Sequence, residues 1–201
     1  MNIHSFLQSR RSIRRFQSTP VSKDVLIRIL QTTIHAPSAH NRQPWRLAVI
    51  DNQKIKFQLS QDMAKEFRED LTAEGMDTQE MESRLARSIS RINNAPIIII
   101  LCMDMSEMDV YSDEKGIRAT SERIMAIQST ATAGLQLQLA ALAEGVDTVW
   151  TCGPLFTQAT VQRSLGLEKS WEPQAMFFLG YAAEKPKDKI LKSLDEVVKF
   201  L

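Results

Sequence analysis

Four consecutive isoleucines, Ile97-Ile98-Ile99-Ile100, sit inside an apolar run at 95–103. β-Branched side chains favour extended backbone, and successive residues of a strand point to opposite faces. A strand that is apolar at every position needs cover on both faces, as a central strand has. The chain must therefore stack at least two layers on one sheet. The run is far shorter than the roughly 20 apolar residues that span a bilayer as a helix, so no membrane role is expected.

The segments around this strand read mostly as helices. Val25, Leu26, Ile29, Leu30 and Ile34 recur at helical spacing, which predicts a helix over 22–35 that stops near Pro37. Segments 53–73 and 78–91 read as polar, charge-laced helices, and 46–50 as a short strand. Segment 119–144 reads as a long helix with two apolar faces. One carries Ile124, Ile127, Ala131, Leu135, Leu139 and Leu142, the other Ala126, Ala133, Leu137, Ala140 and Ala141. Such a helix wants burial on more than one side, either inside the core or against a second subunit. Strands are expected at 147–150 and 174–181, with a short helix at 157–165. Segment 104–118 is charged and irregular, the pattern of a mobile flap. The tail from 182 ends in Leu194, Val197, Val198, Phe200 and Leu201, an apolar set that needs cover.

A length of 201 residues suits one domain, 1–201, with about 183–201 as a C-terminal arm. The formal net charge of +1 provides no long-range field to gather nucleic acid or anionic lipid. Cys102 and Cys152 suggest no disulfide framework, and no secretory leader is apparent at the N-terminus, so a cytoplasmic location is expected. His4, His35 and His40 show no metal-ligand spacing. Neither a Gly-x-Gly-x-x-Gly nor a P-loop element occurs, so any nicotinamide dinucleotide must bind without those motifs.

Two constellations suggest chemistry. Residues 10–15 hold four arginines, Arg10, Arg11, Arg14 and Arg15, around Ser12 and Ile13. In an extended chain Arg10, Ser12 and Arg14 share a side. Two guanidinium forks flanking a hydroxyl suit a phosphate, although a solvated or nucleic-acid-touching patch fits the same arginines. The second constellation is Ala36-Pro37-Ser38-Ala39-His40-Asn41-Arg42-Gln43-Pro44-Trp45, a dense run of turn formers and amides. Asn and Gln both donate and accept, which suits a uracil-like edge such as the flavin pyrimidine. Trp45 reads as a packing anchor.

The Arg-Arg-Ser-Ile-Arg element followed by Ala-Pro-Ser-x-x-Asn-x-Gln-Pro-Trp resembles the signature of the FMN-dependent nitroreductase family. The resemblance runs from about residue 5 to 198 and is weakest over 53–118. It implies an α+β fold, with a central mixed sheet wrapped by helices, and a homodimer with flavin sites at the interface. It implies bound FMN contacted by Arg10, Arg11, Ser12 and Arg14 of one subunit and by Pro37, Ser38, Ala39, Asn41 and Gln43 of the other. Segment 145–154 is similar to the family's stretch against the flavin ring. A backbone N–H among Trp150, Thr151, Cys152 and Gly153 is then expected to meet flavin N5. Many members carry Glu where Cys152 stands. In the tail, Lys187, Lys189 and Lys192 compete to reach the phosphate, with Lys189 preferred. The family places a cation beside flavin N1; only Lys65 and Arg68 suggest themselves.

The implied activity is NAD(P)H-dependent reduction of nitroaromatics or quinones by ping-pong hydride transfer. NADH or NADPH binds transiently, no catalytic side chain is required because flavin N5 carries the hydride, and no metal is involved. Three rivals stand beside it. One is another FMN enzyme on this scaffold, dehalogenase-like or flavin-processing. The others are a flavin-holding protein without turnover and a basic-loop nucleic-acid binder.

Overall fold

The computed structural model describes residues 2–112 and 116–201. Its four strands are β1 (Trp45–Ile50), β2 (Ile97–Asp104), β3 (Asp147–Thr151) and β4 (Trp171–Gly180), in the order β1-β2-β4-β3. Every strand pair is antiparallel. The sheet is thus antiparallel where a mixed one was expected; a parallel pairing occurs only as an isolated bridge, Ser12 to Thr148, outside the four strands. The α+β architecture is as expected.

Strand β2 is buried along its whole length and lies between β1 and β4. Its alternation divides two cores. Ile97, Ile99 and Leu101 pack with Ala133, Leu137, Ala141 and Phe177. Ile98, Ile100 and Cys102 pack with Leu59, Met63, Ile92 and Phe178. Burying each isoleucine side chain contributes about 1.5–3 kcal/mol, so the two-layer requirement read from the sequence is met. Cys102 lies inside, and burial pushes its thiol up to about 12.

Helices α2 (Lys23–Thr33) and α5 (Ile117–Ala143) cover the first face; α3 (Gln53–Ala73), α4 (Thr78–Asn94) and α7 (Gln158–Leu165) cover the second. Their starts are chemically marked. Ser22 Oγ accepts from Val25 N, Asn52 Oδ1 accepts from Lys54 N at 2.9 Å, and Asp77 accepts from Glu80 N. Each side chain satisfies a backbone donor that the first turn leaves open. The Lys56 ammonium, buried under α3, donates to Ala95 O at 2.8 Å and thereby ties α3 to the exit of α4.

Three short helices were not evident in the sequence: α1 (Ile3–Ser9), α6 (Gly153–Phe156) and α8 (Leu194–Val197). None reaches three turns, so hydrophobic periodicity has too little length to show. Strand β4 starts at Trp171, earlier than its apolar core suggests, and β2 runs on to Asp104. Of the expected flap at 104–118, residues 105–107 form a 3-10 turn and residues 113–115 lie outside the described residues. The segment from Met105 to Asp109 is held by ion pairs described below, so its described start is anchored rather than loose.

The two apolar faces of α5 have different fates. Ala126, Ala133, Leu137 and Ala141 are fully buried, whereas Ile124, Ile127 and Leu135 are exposed. At Gly134 the Trp150 ring comes so close that a Cβ there would stand 2.4 Å from it. Trp150 also meets Phe177 edge-on, with centroids 4.8 Å apart. No helix among the described residues is long and apolar enough to cross a membrane.

Candidate functional site

Helix α1 hands over to extended backbone at Arg10, with φ −54° and ψ 130°. The chain then runs beside β3. Ile13 N donates to Thr148 O at 3.0 Å, and the Ile13 side chain is buried. Because alternate residues of extended chain face opposite ways, burying Ile13 turns Ser12 and Arg14 outward together. Both line a cleft of about 1210 Å³ between this loop and α4. Arg87 and Arg91 of α4 and Lys187 of the tail line it too. Glu184, the one carboxylate on its wall, accepts from Arg14 N and lies 3.9 Å from Arg15 Nε. The side chains of Arg14, Arg91 and Lys187 have no hydrogen-bond or ion-pair partner among the described residues. Cations gathered in excess of their counter-charges are what an anionic ligand needs.

Arg10, expected on the same side as Ser12 and Arg14, does not line this cleft. Lys189 lies close enough to Arg10 and Arg11 for their charges to matter. Partial desolvation, and then those two charges, hold its ammonium below the usual lysine range. Arg11 Nη1 is already engaged, donating to Gln8 O at 2.7 Å and Arg10 O at 3.1 Å.

The amide turn lies against α5. Thr132 Oγ1 donates to Pro37 O at 2.7 Å, and Ala39 N donates to Ser129 Oγ at 3.0 Å. Ser38 Oγ accepts from Gln43 N at 3.0 Å, closing the turn on itself. The Gln43 amide donates to Asn41 Oδ1 at 3.3 Å, so the two amides stand side by side. Trp45 is buried, as a packing anchor should be. Asn41 and Gln43 line a different depression from the cleft of Ser12 and Arg14. Within one chain the two constellations line separate depressions.

Strand β3 is an edge of the sheet. Its alternation narrows the choice among Trp150, Thr151, Cys152 and Gly153. Thr148 points its carbonyl outward to Ile13 N, so Trp150 and Cys152 present their backbone groups to the same open side. Thr151 faces β4, where its hydroxyl donates to Met176 O at 3.0 Å, and its N–H belongs to the ladder. Thr151 is thereby removed as an outward donor. The Trp150 ring serves the core. Cys152 is exposed, and Gly153 opens α6 beside Met63 and Phe67 of α3.

Lys65 and Arg68 do not reach the arginine loop. Arg68 is paired with Glu82 at 2.9 Å, and Lys65 lines a separate depression with Asp62 and Glu69. The cations that face Ser12 and Arg14 are Arg87 and Arg91. Their spacing was visible in the sequence: Ser83, Arg87 and Arg91 recur every four residues and share one helix face. Among the described residues no group of His, Cys, Asp or Glu could hold a metal ion.

The family model described as "Nitroreductase family" matches residues 7–181. The chain belongs to the nitroreductase family. Within it, a provisionally named NAD(P)H nitroreductase, YfhC of Bacillus subtilis, is 26% identical over 190 residues, covering 93% of this chain and 88% of YfhC. Among solved structures, a BluB-like flavoprotein of Clostridium difficile 630 superposes with a TM-score of 0.80 at 20% identity, covering 100% and 99% of the two chains. A Desulfovibrio desulfuricans protein, provisionally described as a nitroreductase in complex with FMN, gives a TM-score of 0.73 at 22% identity and covers 98% and 96%. At such identities these two structures speak to the nitroreductase fold, which this chain shares.

Proposed function

We propose that this chain is an FMN-dependent oxidoreductase that uses NADH or NADPH to reduce electron-poor acceptors, such as nitroaromatics and quinones, and works as a homodimer. The carrying observation is the excess of positive charge beside the Arg10–Arg14 loop, where Arg14, Arg15, Arg87, Arg91 and Lys187 line one cleft with Ser12 against the single carboxylate of Glu184. A protein of net charge +1 does not gather so many cations without a use for them. The volume of the cleft exceeds the usual range for small-molecule pockets, so a mononucleotide fits.

In this reading Arg10 and Lys189 hold the phosphate, with Arg11 beside them. Ser12 and Arg14 hold the linking part, and Arg87 and Arg91 place positive charge beside the ring, the role for which the sequence had suggested only Lys65 and Arg68. The outward N–H of Trp150 or Cys152, or that of Gly153, meets N5. Pro37, Ser38, Ala39, Asn41 and Gln43 come from the second subunit to meet the ring edge. When bound, FMN supplies the hydride chemistry, with the nicotinamide and the acceptor visiting in turn. The protein's part is to orient the ring, offer a donor at N5 and keep positive charge nearby. No side chain needs to act as an acid or base.

The exposed Ile124, Ile127 and Leu135 on α5 and the exposed Ile190, Leu191, Leu194, Val197, Phe200 and Leu201 of the arm support the dimer, since a partner subunit would take these apolar side chains out of water. The purified protein should be yellow, and anaerobic NADH or NADPH should bleach it; colourless protein that does not take up FMN defeats the reading. A second reading, favoured by the likeness to a BluB-like flavoprotein, is a flavin-processing enzyme on the same scaffold. It predicts that flavin is consumed under air when no acceptor is present.

A further inference from the structure

The turn that carries Asn41 and Gln43 has a costly backbone. His40, Asn41 and Gln43 adopt φ of 50°, 54° and 50°. None is glycine, and left-handed backbone presses Cβ against the following carbonyl. Such conformations persist only where their surroundings hold them. Helix α5 supplies two holds through Ser129 and Thr132, and Ser38 supplies one from within. The remaining hold comes from the segment after β2. Arg42 is ion-paired with Asp109 and Arg46 with Glu107, and Arg46 also lies 3.5 Å from Asp104.

That segment is itself anchored. Asp104 N donates to Pro44 O at 2.8 Å. The Asp104 carboxylate is buried and accepts from Ser106 N at 3.0 Å, Ser106 Oγ at 2.7 Å and Ser170 Oγ at 3.3 Å. Burial pushes its pKa up, but these hydrogen bonds and the Arg46 charge outweigh burial and hold it below the usual carboxylate range. The anion that Arg46 faces is thus permanent at neutral pH.

We propose that Asp104, Glu107 and Asp109 form a clasp: acting through Arg42 and Arg46, they are positioning residues that hold Asn41 and Gln43 ready for the flavin ring. The segment after β2 then sets cofactor affinity without touching the cofactor. The proposal rests on the reading of the amide turn as a ring contact. Two of the pairs are partly exposed, with Arg42 at 42% and Asp109 at 37%, and Arg46 at 25% and Glu107 at 45%. Such pairs contribute little to global stability. Their location on a strained turn points to local order instead.

The test compares wild type with the Asp109→Asn/Glu107→Gln double variant. The probes are FMN and riboflavin, the second lacking the phosphate that the arginine loop would grip. The variant should bind both flavins roughly 3- to 10-fold more weakly, with Tm almost unmoved. Wild-type affinity for riboflavin should fall from about 0.01 M to about 1 M salt as screening tightens, and the variant's should not. Arg42→Asp alone should weaken binding, and adding Asp109→Arg should restore most of it. Unchanged riboflavin affinity in the double variant overturns the clasp. So does a loss that tracks a large fall in Tm and is not restored by the charge swap. Wild type that binds neither flavin overturns the flavin reading, and the clasp with it.

Discussion

Strand β2 and the C-terminal arm carry similar side chains to opposite fates. Ile98, Ile99 and Ile100 are wholly buried between two helical layers, while Ile190 and Leu201 are fully exposed. Every residue from 185 to 201 is exposed. The outer stripe of α5 behaves like the arm, and its inner face like β2. Apolar character alone therefore does not decide burial. It decides that burial is favourable; where the side chain ends up depends on what packs against it.

The comparison can be pressed hardest in the core. Ile99→Ala should cost about 2–5 kcal/mol of unfolding free energy, read by urea titration. A loss under about 1 kcal/mol would mean the strand is less confined than its burial indicates. Next in size is the basic loop that the arm touches. Arg10→Ala together with Arg14→Ala should weaken FMN binding about 100-fold, since each removes a charge-assisted contact. Stoichiometric flavin surviving dialysis would refute the phosphate role.

Cutting the chain after Lys187 should leave the core folded yet weaken self-association by tenfold or more, at about 1.4 kcal/mol per factor of ten. An unchanged sedimentation profile counts against the arm as an embrace. The same cut removes Lys189, whose titration supplies a finer measurement. Its ammonium is depressed in the free protein, and a bound phosphate should raise it again. FMN affinity should therefore fall as pH rises through the depressed value, because proton uptake then accompanies binding. Riboflavin should show no such step; an identical step for both flavins removes Lys189 from the phosphate. Smallest of all, Phe200→Ala should alter unfolding free energy by less than about 0.5 kcal/mol, in contrast with Ile99→Ala, and a larger effect would show the arm already packed within its own chain.

Much of the fold was legible because it is local. Helix α3 has the expected bounds 53–73, α2 begins directly after its cap Ser22, and the isoleucine run announced a strand covered twice. The shared side of Ser12 and Arg14 also followed from local alternation, and the buried Ile13 between them is its structural counterpart. The short helices α1 and α6 were missed because one turn or two leaves no period to read. Thr151 fell away as an N5 donor because strand parity depends on a pairing that composition does not encode.

By itself, the sequence determined which of the longer segments would be helix or strand, which faces would seek cover, and that arginines and amides were gathered in two places. Tertiary structure alone decided that Arg87 and Arg91 line one cleft with Ser12 and Arg14, and that acidic groups at and after the end of β2 clasp a turn with left-handed backbone. The reason is physical. Periodicity and capping act over a few residues and leave their mark in order, whereas a meeting between distant segments is set by how whole layers pack, and no short stretch of chain records that.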